Sequence, residues 1–79
     1  MSNVDKDMKK RAYLYDELTS LIFDLNKKND ELSSLDFIKE NSEKINNLVN
    51  ECTKLNSKIT KVKNEIEKIE EQLSALDIL

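Results

Sequence analysis

Residues 45–76, INNLVNECTKLNSKITKVKNEIEKIEEQLSAL, decide how this chain is read. Ile45, Leu48, Cys52, Leu55, Ile59, Val62, Ile66, Ile69, Leu73 and Leu76 recur there in steps of three and four without exception. Such steps average about 3.5 residues, the period of a helix seam packed on another helix. The chain has no glycine and no proline, so the usual material for tight turns and for breaking helices is missing. An all-α protein follows from these two facts.

A second seam lies N-terminal to the first. Leu14, Leu18, Leu21, Leu25, Lys28, Leu32 and Leu35 keep the same rhythm. Tyr15 and Ile22 widen its apolar face, and a face broader than one seam commonly meets more than one neighbour. Upstream, Ser2 with Asp5 resembles a capping box. Asp5 and Asp7 suit the positive end of a helix dipole, and Asp5–Lys9 and Asp7–Arg11 have the spacing of one-turn ion pairs.

The two seams are out of phase. Continuing the first would place apolar residues at 39 and 42, where Lys39 and Ser42 stand. The polar run Lys39-Glu40-Asn41-Ser42-Glu43-Lys44 is therefore the preferred turn, with Asn41 as a left-handed helix end and Ser42 as the next cap. The expected single hairpin over residues 1–79 has helix 1 at about 3–38, a turn at about 39–42 and helix 2 at about 43–77. Positions whose numbers sum to about 80 then face each other across an antiparallel pair. Leu35 meets Ile45, Leu32 meets Leu48, Leu25 meets Leu55, Leu21 meets Ile59, Leu18 meets Val62, Leu14 meets Ile66 and Val4 meets Leu76. Only Lys28–Cys52 and Arg11–Ile69 mix polar with apolar, and long basic stems can lie along a seam with the charge in water. A turn near Ser33, with a Ser33–Asp36 cap and a Leu32–Phe37 staple, ranks second because it strands Ile66, Ile69, Leu73 and Leu76. One unbroken helix, on the order of 110 Å long, ranks third.

Composition narrows the function classes. The 79 residues are 37% charged and 38% hydrophobic, with Tyr13, Tyr15, Phe23 and Phe37 the only aromatics. That balance suits paired long helices better than a compact globule. Histidine and glycine are both absent, and no acidic pair sits in an apolar run, so an enzyme is not expected. One cysteine and no histidine exclude a zinc site within the chain. No metal and no cofactor are expected, and a carboxylate group such as Glu67, Glu70 and Glu71 reads as a wet helix face. Net charge is −3 with both signs interspersed. Lys54, Lys58, Lys61 and Lys63 form the one basic cluster, yet they spread around the seam and pair in spacing with Glu65 and Glu67, so nucleic acid is not the expected partner. No apolar run reaches the ~18–20 residues of a membrane span or forms a signal-peptide core, which points to an intracellular, cytoplasmic protein away from the membrane. Cys52, on the seam, reads as a small buried hydrophobe rather than an interchain crosslink.

A hairpin of two helices buries only one stripe per helix, which leaves its stability marginal and favours further association. In a parallel dimer of the second stripe, Lys58 would face Lys63 and Glu65 would face Glu70, both repulsive. The fold class expected is therefore an antiparallel two-helix coiled-coil hairpin, assembling into a four-helix bundle as a homodimer or packing with a partner protein's helices. Phe23 lies opposite the seam within the most apolar stretch, Ala12 to Leu25. With Tyr15, Ile22 and, from the second helix, Val49, it is the candidate partner-binding set, weighed against ordinary surface exposure. The expected function is a non-catalytic oligomerisation or adaptor module, a small subunit of a larger assembly. The alternative is a small regulator that inhibits or redirects an enzyme by docking a helix on it. No diagnostic motif assigns a family.

Overall fold

The computed structural model describes residues 3–78. Helix α1 spans Asn3–Ser34 and helix α2 spans Ser42–Ala75, with a single 3-10 turn at Lys39–Asn41 between them. The helices pack antiparallel as an extended hairpin whose Cα envelope is 57 × 17 × 14 Å. An unbroken helix would be about twice that length. Among the described residues there is no strand, and no helix is long and apolar enough to cross a membrane.

The register is the one expected for a reversal near residue 40. Lys28 pairs with Glu51 and Arg11 with Glu70, so facing positions sum to 79 and 81. Ile66, Ile69 and Leu73, which a reversal at Ser33 would strand, are buried. Helix α1 nevertheless stops at Ser34, four residues before its expected end at 38. Two serines close it, and the Ser34 hydroxyl donates to the Glu31 carbonyl at 2.8 Å, a local bond that competes with continued helix.

The link 35–41 then turns on one acceptor. The Asp36 carbonyl receives the Ile38 amide at 2.9 Å and the Asn41 side-chain amide, also at 2.9 Å. Asn41 is not left-handed as expected: its φ is −97°, and it acts through its side chain. Nor does Ser42 cap α2; it is the first helical residue, and the capping position, Asn41, makes no side-chain cap bond. The positive-φ residue of the described chain is Asp77, φ 59°, beyond the other helix end. There Asp77 N–H donates to the Ser74 carbonyl and Ile78 N–H to the Leu73 carbonyl. Together these make a Schellman motif that satisfies the last carbonyls without glycine. The expected capping box at Ser2 and Asp5 involves Ser2, which lies outside the described residues.

The core is lopsided. Leu14, Val62, Ile66, Ile69 and Leu73 form one buried cluster, with Val4, Leu18 and Leu21 packed against it. Leu48 and Ile59 are buried nearer the turn, while Leu25, Leu32, Leu35, Ile45, Cys52 and Leu55 are half-buried. Six of the seven buried side chains belong to α2. Branching at Cβ keeps Ile59, Val62, Ile66 and Ile69 close to their own helix. Of the α1 leucines that face them, Leu14 is buried, while Leu18 and Leu21 stay half-buried. Leu76 departs from the seam on which spacing placed it: it is 58% exposed, because α2 ends at Ala75 and the chain swings away into the Schellman turn.

Candidate protein-binding surface

Each polar position that interrupts the seam turns its head group off it. Lys28 reaches Glu51, 2.8 Å away and one residue before its facing position Cys52. Glu51 holds the Lys28 ammonium above the ordinary lysine pKa, first by the hydrogen bond and then by charge. Arg11 reaches Glu70, one residue after Ile69, at 3.1 Å. Cys52 stays half-buried, its thiol 3.5 Å from the Asn29 side-chain oxygen that accepts from it. Among the described residues, ion pairs within 4 Å run between the helices and not along them. Arg11 thus chooses Glu70 over Asp7, because Glu70 is also held by the Tyr15 hydroxyl and needs little further ordering.

That choice builds an organised polar cluster on the surface. Tyr15 O–H donates to Glu70 Oε1 at 3.0 Å, while Arg11 donates through Nε and Nη2 to Oε2. The Arg11 guanidinium carbon also lies 5.1 Å from the Tyr15 ring centroid. Ring, guanidinium and carboxylate therefore hold one another across the edge of the seam. Tyr15 itself stays partly exposed.

The remaining candidate residues are spread unevenly. Ile22 lies two turns beyond Tyr15 on the same side of α1, and Phe23 stands next to it, 64% exposed, with Lys27 Nζ 5.8 Å from its ring centroid. Val49 is exposed but does not join them. In the observed register it lies level with residue 31, about 14 Å along the axis from Ile22 at 1.5 Å per residue. Tyr15, Ile22 and Phe23 are thus neighbours on one helix, and Val49 stands apart near the turn.

Two apolar features escaped the sequence reading. Met8 is exposed and precedes Tyr15 by seven residues, as Tyr15 precedes Ile22; the seven-residue spacing was the available signal. Phe37 and Ile38 project from the hairpin tip, exposed by 75% and 52%. Phe37 is thus no staple on Leu32, because no helix starts at Ser33; the next one, α2, begins at Ser42.

The charged grooves along the seam have mixed sign. One is lined by Lys27, Lys28, Lys54 and Lys58 but also by Asp24, Glu31 and Glu51. Another sets Lys58 and Lys61 beside Glu17 and Glu65. The basic cluster of α2 therefore stands among carboxylates of α1, which the sequence order did not reveal.

No known protein family matches this chain, and neither a curated protein nor a solved structure does.

Proposed function

We propose that this hairpin is a non-catalytic association module, an oligomerisation or adaptor element that works by presenting the outer face of α1 to other helices. One observation carries the reading. The intrachain seam leaves Met8, Tyr15, Ile22 and Phe23 exposed along a single helix while the corresponding side of α2 is polar apart from Val49. Aromatic and large aliphatic side chains held in place beside a rigid seam are the usual anchors of a protein interface. The Arg11–Glu70–Tyr15 contacts lower the ordering cost of Tyr15 on binding, since its ring is already fixed.

Among the described residues, the grooves along the seam are open and mixed in charge rather than enclosed and apolar, which favours binding over chemistry. The interleaved acids along the lysine cluster favour a protein partner over nucleic acid. Sedimentation equilibrium and circular dichroism over a dilution series test the proposal. Concentration-dependent mass with high helicity is the expected result. A fully helical monomer that melts at the same temperature at every concentration would refute it.

A further inference from the structure

Helix α1 carries a second heptad row. Met8, Ala12, Tyr15, Thr19 and Ile22 follow one another by four and three residues, each standing one place after a seam position. One place is about 100° around a helix, so the row runs parallel to the seam on a different face. All five are exposed, with Met8, Tyr15 and Ile22 at 40%, 39% and 38%. Large side chains occupy 8, 15 and 22, and small ones occupy 12 and 19, continued by Asn26. The row is also dry in its bonding: the Thr19 hydroxyl donates to the Tyr15 carbonyl at 2.9 Å, and the Tyr15 hydroxyl is held by Glu70. On α2 the matching side holds Val49, Asn56, Lys63 and Glu70, with no such stripe.

We propose that this row is the contact between two copies of the hairpin, α1 packed antiparallel on α1 about a two-fold axis near residue 17; the inference rests on the association reading above and names its occupant and geometry. Two features of the chain select a second copy in this orientation. The first is size alternation. When positions summing to about 34 face each other, Ala12 meets the partner's Ile22, Thr19 meets the partner's Tyr15 and Asn26 meets the partner's Met8. Each large residue opposes a small one, and every contact occurs twice, as an isologous interface requires.

The second is charge. The start of α1 carries Lys6, Lys9, Lys10 and Arg11 against Asp5 and Asp7. Residues 23–31, which that start faces in this register, carry Asp24, Asp30 and Glu31 against Lys27 and Lys28. Antiparallel packing lays the net-basic start of each α1 along this slightly acidic stretch of the other; parallel packing lays like on like. Lys9 and Asp30 lie on the same flank of the row. They come opposite each other with the same offset from facing positions that Tyr15 and Glu70 show across the intrachain seam. Phe23, on that flank beside Ile22, closes the edge of the row.

Cysteine pairing in a Cys52→Ser background tests the orientation. Ala12→Cys and Ile22→Cys proteins are made separately, mixed and mildly oxidised, and the linked species are identified by mass. The expected product is the mixed Ala12→Cys/Ile22→Cys dimer, with neither protein crosslinking alone. Crosslinking of Ala12→Cys with itself means a parallel contact and overturns the inference. A solution dimer that gives no mixed product overturns this interface but leaves association standing, whereas a helical monomer at every concentration removes both. Thr19→Lys should weaken the dimer at least tenfold with helicity kept, and Thr53→Lys on α2 should not; equal effects of the two overturn the assignment.

Discussion

Arg11 crosses the seam to Glu70, its Nη2 3.1 Å from the carboxylate, at the level where a charged residue interrupts an otherwise apolar stripe. Both side chains are about a third exposed or less, so the pair sits at the border between solvent and core. Its position explains how the hairpin tolerates a basic residue on its seam. The aliphatic stem of Arg11 lies along the stripe, and its head group leaves it for an acid and an aromatic ring. The same contacts hold Tyr15, so one interruption of the core also organises the outer surface.

Removing that anchor should have a small cost in stability. Glu70→Gln keeps an acceptor for Tyr15 but removes the charge facing Arg11. Partly exposed pairs contribute up to about 1 kcal/mol. A double-mutant cycle with Arg11→Met, followed by thermal melting, should return a coupling in that range, and a coupling near zero would show that the pair is ornamental.

Leu73 and Leu76 are both leucines on the predicted seam, yet their burial differs completely: 0% and 58% exposed. Leu73→Ala should destabilise by about 2–5 kcal/mol through lost burial and a cavity. Leu76→Ala should stay within about 0.5 kcal/mol, as surface changes do. Urea titration followed at 222 nm distinguishes them. Similar losses would mean that the end of α2 is packed differently.

Lys28 is the seam position at which an apolar residue should improve the protein. Lys28→Leu adds apolar surface opposite Cys52 and loses only a largely exposed ion pair, so the variant should melt at a higher temperature. The pH dependence has a definite sign. Because Glu51 raises the folded-state pKa of Lys28 above the ordinary 10.5, the pair stabilises fully below the unfolded value. That contribution is lost as pH rises through the folded one. Melting curves taken through the alkaline range should therefore show the variant's advantage growing with pH; a constant difference would dissociate the pair from stability.

Asp77 holds a left-handed backbone that glycine adopts without cost. Asp77→Gly should stabilise the end of α2 by up to about 1 kcal/mol, less the small entropic penalty glycine brings to the unfolded chain. Slower amide exchange at Asp77 and Ile78, whose N–H groups close the motif, would report it. Faster exchange would show that the aspartate side chain contributes something glycine cannot.

Much of the fold was legible because its signal repeats. Each heptad of the two stripes states the same preference, so a mixed layer such as Lys28–Cys52 does not obscure the rest. Register followed from counting apolar matches over the length of both arms. The turn was legible only in part, because it rests on single residues. Asn41 was a reasonable left-handed candidate by type, but a side-chain bond to Asp36 gave it a different task, while Asp77 took that backbone at the other end. Nothing local in the sequence separates these outcomes. The surface set was partly legible as well. Phe23 stood out by its angle from the seam, whereas Met8 could be seen only once the second row had been traced.

By itself the sequence determined that the chain is helical, that two stripes face each other antiparallel, and which layers mix charge with hydrocarbon. These are periodic properties, written many times over and insensitive to any one contact. Only the tertiary structure decided where α1 stops, that α2 buries its stripe more deeply than α1, and that Glu70 gathers Arg11 and Tyr15 at one point. Those outcomes depend on side-chain packing and on competition among individual hydrogen bonds. Such competition has no period, and it is resolved only when the two helices lie side by side.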